Sequence, residues 1–111
     1  MAITFDDFQK VDIRSGTVVK VEPFPEARKP ALKVWVDFGD EIGVLKTSAQ
    51  ITHHYKSDSL VGAQVAGAVN LGERQIGPFV SQFLLLGFED ATGCVSLIMP
   101  DKLVPNGKKL G

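Results

Sequence analysis

Residues 31–38, ALKVWVDF, carry a period of two. Leu32, Val34, Val36 and Phe38 fall on one side, and Lys33, Trp35 and Asp37 on the other. Successive side chains of a strand point to opposite faces, so a period of two predicts a strand with one face in a core and one outside. Any fold the chain adopts must bury one face of a sheet and leave Lys33 and Trp35 on its outer side.

The other apolar segments are also short and separated by turn-forming residues. The pattern predicts strands over 13–22, 42–47, 64–70, 83–88 and 95–99. In the first, Ile13, Thr17, Val19 and Val21 share a face, and Gly16 marks a bulge or bend. A loop over 22–30 holds Pro23, Pro25 and Pro30, and Gly39-Asp40 reads as a turn. Thr4 followed by Asp7 has capping-box spacing and predicts a helix over 4–9, with Phe5 and Phe8 plugging one end of the core. A short helix over 48–55 and a helical turn over 57–60 complete the pattern. Short strands bent at glycines, with a helical insertion between the third and fourth, predict an all-β OB-fold Greek-key barrel with short helices. An SH3-like barrel or a sandwich is the alternative, and the helical insertion favours the OB type.

With 111 residues, 44% hydrophobic and 23% charged, the chain is expected to form one domain over 1–111. A net charge of −1 argues against a surface that grips nucleic acid everywhere. An RNA-binding role then requires a local basic patch or a second copy. Cys94 is the single cysteine, so no internal disulfide forms, and its apolar neighbours predict a buried thiol. The N-terminal residues lack a leader-like apolar segment, and no run approaches membrane-spanning length. A cytoplasmic protein without membrane insertion is expected.

Chemistry-bearing patterns are sparse. His53 and His54 are neighbours that point apart, a poor metal pair. The acidic pairs Asp6-Asp7, Asp40-Glu41 and Glu89-Asp90 sit at termini or turns. No nucleophile elbow, phosphate-binding loop or dinucleotide fingerprint occurs. The expectation is no catalytic residue, no metal and no cofactor.

The basic residues say more. Arg14, Lys33, Lys46 and Arg74 fall on or beside strands, and Lys33 lies near Trp35 on the outer face. A cation beside an aromatic on that face of an OB barrel fits phosphate contact plus base stacking. A solvated strand face, with Trp35 covered by a loop or partner, fits the same residues equally well. Arg14 fits equally a structural pair with Asp12, Glu22 or Asp37. Residues 70–82 form a polar loop with Arg74, Gln75, Ser81 and Gln82, its path set by Gly72, Gly77 and Pro78. The apolar run that follows exceeds what one small barrel can bury. Phe79, Phe83 and Leu85 are therefore candidates for peptide-binding or dimer contacts, unless the N-terminal helix and the tail cover them.

Several segments in order resemble one family: DIRSG at 12–16, the proline-acid loop at 22–27, LKVWVDFG at 32–39 and TSAQIT at 47–52. Tyr55, LVG at 60–62, NLGERQIGPFVSQ at 70–82 and VPNGKK at 104–109 continue the set. The chain resembles the tRNA-binding domain family, which includes the C-terminal domain of methionyl-tRNA synthetases. Within it, the chain is similar to the free-standing CsaA-type secretion chaperones. Synthetase domains often carry Arg-Val-Gly, Ser-Gly and Gly-Met-Leu-Leu where this chain has Arg14-Ser15-Gly16, Ser48-Ala49 and Phe83-Leu84-Leu85-Leu86. Those departures favour the chaperone branch.

The resemblance implies an OB barrel, a homodimer, tRNA binding, and binding of unfolded or secretory polypeptides. The alternative it leaves open is a docking module that assists an aminoacyl-tRNA synthetase. It implies RNA-facing roles for Lys33, Lys46, Ser48, Gln50, Arg74, Ser81 and Gln82. Arg14 matches the family's arginine, and Gly16, Gly62 and Gly77 match shape-setting positions.

Overall fold

The computed structural model describes residues 1–111. Two helices, α1 (Phe5–Gln9) and α2 (Ser57–Leu60), accompany nine strands. These are β1 (Ile13–Pro23), β2 (Leu32–Asp37), β3 (Val44–Ala49), β4 (Gln64–Ala68), β5 (Arg74–Ile76), β6 (Phe79–Ser81), β7 (Leu84–Leu85), β8 (Gly87–Glu89) and β9 (Val95–Leu97). Neither helix is long and apolar enough to cross a membrane.

Five strands form one antiparallel sheet in the order β3-β2-β1-β4-β7, and β5–β6 and β8–β9 form separate hairpins. The free edge of β3 curls round to the chain just after β6. The Gln82 N–H donates to the Lys46 carbonyl at 2.8 Å, and the buried Thr47 hydroxyl donates to the Phe83 carbonyl at 2.7 Å. The sheet thus nearly closes on itself, the OB-like all-β barrel expected from the sequence.

The alternation of residues 31–38 is what the barrel uses. Leu32, Val34, Val36 and Phe38 are buried, with Val18, Ile51, Leu60, Val65, Phe83 and Leu97, in one core. Phe38 meets Phe83 edge to face at 5.0 Å between ring centroids. Each such buried side chain contributes about 1.5–3 kcal/mol.

Several local expectations change. The capping box of α1 forms, with the Asp7 N–H donating to the Thr4 hydroxyl and the Thr4 N–H to the Asp7 carboxylate. Yet Phe5 is 64% exposed and Phe8 36%, so these rings do not plug the core. Ile51 and Leu60, from the connection between β3 and β4, fill it instead. In β1 the inward residues are Gly16, Val18 and, partly, Val21. The register against β2 slips between Val18 and Lys20, leaving Val19 as an exposed extra residue. The bulge is therefore at Val19. Gly16 stays in register opposite Val65, and a Cβ on it would meet Val36 Cγ1 at 2.5 Å. Its place is one of close packing.

The helix expected over 48–55 is absent. Ser48 and Ala49 continue β3 opposite Lys33 and Leu32, and the Ser48 N–H is taken by the Ser81 hydroxyl. The strand expected over 83–88 splits in two. Leu86 changes partners, donating to Ala66 and accepting from Ile98, so β7 joins the barrel while β8 pairs with β9. Residues 70–82 hold the β5–β6 hairpin, turned by Gly77 at φ 58° and Pro78. The C-terminal segment lies along the start of β1, with hydrogen bonds linking Ser15 to Gly107 and Lys108, and Leu110 to Ile13.

Candidate nucleic-acid interface

The outer face of β1–β3 is built in rows by the strand register. Lys20, Trp35 and Lys46 stand side by side in one row, and Glu22, Lys33 and Ser48 in the next. Over this face fold two further pieces: the loop after β1, which brings Phe24, and the β5–β6 hairpin, which brings Phe79. Phe24 and Phe79 are buried with Ala31 in a second, small apolar cluster flanked by Ala27, Trp35 and Ile76. Phe79 lies 5.5 Å from Phe24 and 6.1 Å from Trp35, at 84° to the latter.

Three ammonium groups cap these rings. Lys20 Nζ is 4.5 Å from the Trp35 ring centroid, and Lys46 Nζ 4.9 Å from that of Phe79. Lys33 Nζ sits 4.9 Å from Phe24 and 5.3 Å from Phe79. A cation over a ring is held by the ring's quadrupole, worth about 0.5–1 kcal/mol at exposed sites. The ring uses none of the ammonium's three N–H donors, so they remain available to an anion. Lys20 also pairs with Glu22 at 3.2 Å. Lys33 and Lys46 form no salt bridge.

Beside this shelf runs an open groove of about 840 Å³. Its polar lining is Glu26, Arg28, Lys29, Ser48, Gln50, Arg74 and Gln75. Arg28, Lys29 and Arg74 are exposed and likewise form no salt bridge. Together Lys20, Arg28, Lys29, Lys33, Lys46 and Arg74 are half of the chain's 12 Lys and Arg residues. The basic patch that a chain of charge −1 would need is present on this one side.

The candidate residues divide by what their side chains already do. Lys33, Lys46, Gln50 and Arg74 lie on the shelf or the groove with polar groups free. Ser48, Ser81 and Gln82 are engaged in closing the barrel. The buried Ser81 hydroxyl takes the Ser48 N–H at 3.0 Å and sits 3.3 Å from the Ser48 hydroxyl, and the Gln82 side-chain oxygen takes the Lys46 N–H at 3.1 Å. Arg14 lies away from the shelf. Its guanidinium bonds Asp12 at 2.6 Å and the Gly107 carbonyl at 2.9 Å, and the Asp12 carboxylate raises its pKa above the usual arginine value. Arg14 therefore ties the C-terminal segment to β1.

The apolar candidates also separate. Phe83 is 4% exposed in the barrel core, and Phe79 is 6% exposed beneath Lys33 and Lys46. Both rings, expected as candidates for peptide or dimer contacts, are buried within this chain. Leu85 is half-buried against the core and lines the groove. His54 bonds Asp90 at 2.6 Å, and Cys94 is half-buried, its N–H donating to Asp90. No three His, Cys, Asp or Glu side chains converge on a point.

Lys20, Phe24, Arg28 and Lys29 belong to this site but were not singled out from the sequence. The two adjacent cations in the proline loop were a readable signal. The placement of Lys20 beside Trp35 depends on the Val19 bulge, which no local pattern marks.

The family model described as "Putative tRNA binding domain" matches residues 13–109. Methionine–tRNA ligase from Bacteroides fragilis is 37% identical over 108 residues, which is 97% of this chain and 16% of that protein. The chain thus spans about a sixth of that relative's length. Among solved structures, chaperone CsaA from Bacillus anthracis is 40% identical with a TM-score of 0.93, covering 100% of both chains. The CsaA chaperone protein from Picrophilus torridus is 43% identical with a TM-score of 0.93, covering 99% of this chain and 100% of that one.

Proposed function

The chain belongs to the tRNA-binding domain family, and on that footing we propose that it is a non-enzymatic tRNA-binding protein, one domain over 1–111. The observation that carries this reading is the shelf of Lys20, Lys33 and Lys46 over aromatic rings, continued by Arg28, Lys29 and Arg74. In this reading Lys33, Lys46, Arg28, Lys29 and Arg74 meet phosphates, and Gln50 adds hydrogen bonds. Ser48, Ser81 and Gln82 hold β3 and the hairpin at fixed spacing, so they position the cations.

Phosphate contacts release counterions, so affinity falls as salt rises, with a log–log slope of about −0.7 to −0.9 per contact. Five cations on one face predict a slope near −4 by that rule, roughly doubled when two faces act together. A homodimer would place two such patches on one RNA at high effective concentration. Exposed Phe5, Phe8 and Leu110 supply apolar area that a second copy would cover. An electrophoretic shift with tRNA across a salt series tests the proposal. A salt-sensitive shift supports it, and no shift at low salt by folded protein sinks it.

A second activity, chaperoning of unfolded or export-bound polypeptides in the cytoplasm, draws its support from the full-length similarity to chaperones named CsaA. The groove beside the shelf, with Leu84, Leu85 and Ile76 among its lining, would hold the extended segment. Similarity to a ligase of which this chain spans 16% favours instead a docking role beside a synthetase. Suppression of client aggregation separates the two. Arg74→Glu that abolishes tRNA binding yet leaves suppression intact places the activities on different residues, and a wild type that suppresses nothing removes the chaperone reading.

A further inference from the structure

We infer that Trp35 is a stacking platform for one unpaired base, so that the preferred ligand is RNA with unstacked nucleotides rather than continuous duplex. This rests on the tRNA-binding reading above and adds the class of RNA to it.

The three rings of the shelf are not equivalent. Phe24 is 3% and Phe79 6% exposed, and both serve as packing beneath Lys33 and Lys46. Trp35 is half-buried and stands between Lys20 and Lys46 in the strand register. Phe79 meets it at 84°, which fixes the indole's orientation. What lies over the indole is the Lys20 ammonium, on a side chain 55% exposed and tied to the 45% exposed carboxylate of Glu22. Exposed ion pairs and exposed cation–ring contacts are both weak. Lys20 is thus a removable cover, and its ammonium can move to a phosphate when a base takes its place.

Duplex RNA buries its base faces in the stack and presents sugars and phosphates. It can satisfy Lys33, Lys46 and Arg74 but cannot cover the indole. A splayed nucleotide does both, since its base stacks on the ring while its phosphates meet the flanking lysines. With one available ring, the site takes one base and reads its unpaired state rather than its identity.

The chain has a single tryptophan, so its fluorescence reports on this position alone. The full chain is titrated with tRNA, with a short oligouridine and with a blunt RNA duplex of equal phosphate number. Affinities are measured in parallel by electrophoretic shift for wild type, Trp35→Phe, Trp35→Leu and a Lys33→Ala/Lys46→Ala variant. The inference expects quenching by tRNA and oligouridine and little by duplex at equal saturation. It expects Trp35→Leu to lose about tenfold in oligouridine affinity, a clearly larger loss than for the duplex, and Trp35→Phe to keep most of the affinity.

Equal quenching by duplex, or unchanged oligouridine affinity in folded Trp35→Leu, overturns the inference. Should Trp35→Leu fail to fold, the wild-type contrast between oligouridine and duplex decides. Binding that weakens in the lysine variant but ignores Trp35 refutes the stacking platform alone. Absence of any shift with tRNA refutes the underlying reading as well.

Discussion

Arg14 and Lys33 are both basic residues on strands of the same barrel, and their surroundings make opposite use of them. Arg14 faces a carboxylate and a carbonyl, which take its donors and lock the C-terminal segment onto β1. Around it, Ser15 bonds Pro105, Thr17 bonds Asn106 and Gln64 bonds Val104, so that side of the barrel is closed upon itself. Lys33 faces two aromatic rings, which hold its charge and leave its donors unused. The Arg14 charge is spent on structure; the Lys33 charge is placed but still available. The fold places these uses in two regions of one five-stranded sheet, at the start of β1 and along β2.

The largest expected effect tests the boundary of the working side. Phe83→Ala removes a core ring packed against Phe38 and should cost about 3–5 kcal/mol in denaturant unfolding. If Phe83 were instead a partner contact, stability would barely change. Arg14→Ala should cost about 1–2 kcal/mol by the same measurement, from its lost charge-assisted hydrogen bonds. Its tRNA affinity, measured while folded, should equal that of wild type.

Lys33→Ala and Lys46→Ala should each lower stability by about 0.5–1 kcal/mol or less, the worth of an exposed cation–ring contact. Each should weaken tRNA binding and flatten the salt slope by about 0.7–0.9. A lysine variant that loses stability but not affinity would break the comparison.

The smallest effect concerns Asp90. The Thr92 hydroxyl, His54 and the backbone N–H groups of Cys94 and Thr92 all donate to its carboxylate and hold its pKa well below the usual range. A depressed carboxylate stabilises the fold above its unfolded pKa of about 3.9, and that contribution fades as pH falls toward the folded value. Asp90→Asn should therefore flatten the acid limb of a melting-temperature profile below about pH 4 and leave tRNA binding unchanged.

How much of this was legible in the chain follows from how local each signal is. The alternation of residues 31–38, the Thr4–Asp7 cap and the turn at 57–60 depend on near neighbours, and all three appear in the structure. The bulge at Val19 was misplaced to Gly16 because it arises from β1 changing partners, from β4 to β2, along its length. The β5–β6 hairpin was missed because its strands are three residues each, too short to show a period. That omission hid why Phe79 is buried, since only the hairpin lays it across Lys33 and Lys46. Lys33, Lys46 and Arg74 were readable as candidates. Their division from Ser48, Ser81 and Gln82 was not, because it depends on bonds between residues more than thirty positions apart.

The central claim is that the ring-capping lysines, and not the carboxylate-paired arginine, are the cations RNA uses. It is tested most directly by tRNA dissociation constants across a salt series for folded wild type, Arg14→Ala and Lys33→Ala/Lys46→Ala. The account predicts parallel salt dependences for wild type and Arg14→Ala, and a slope shallower by about 1.5 for the double lysine variant. Identical slopes for wild type and the lysine variant, or a slope change confined to Arg14→Ala, would contradict it.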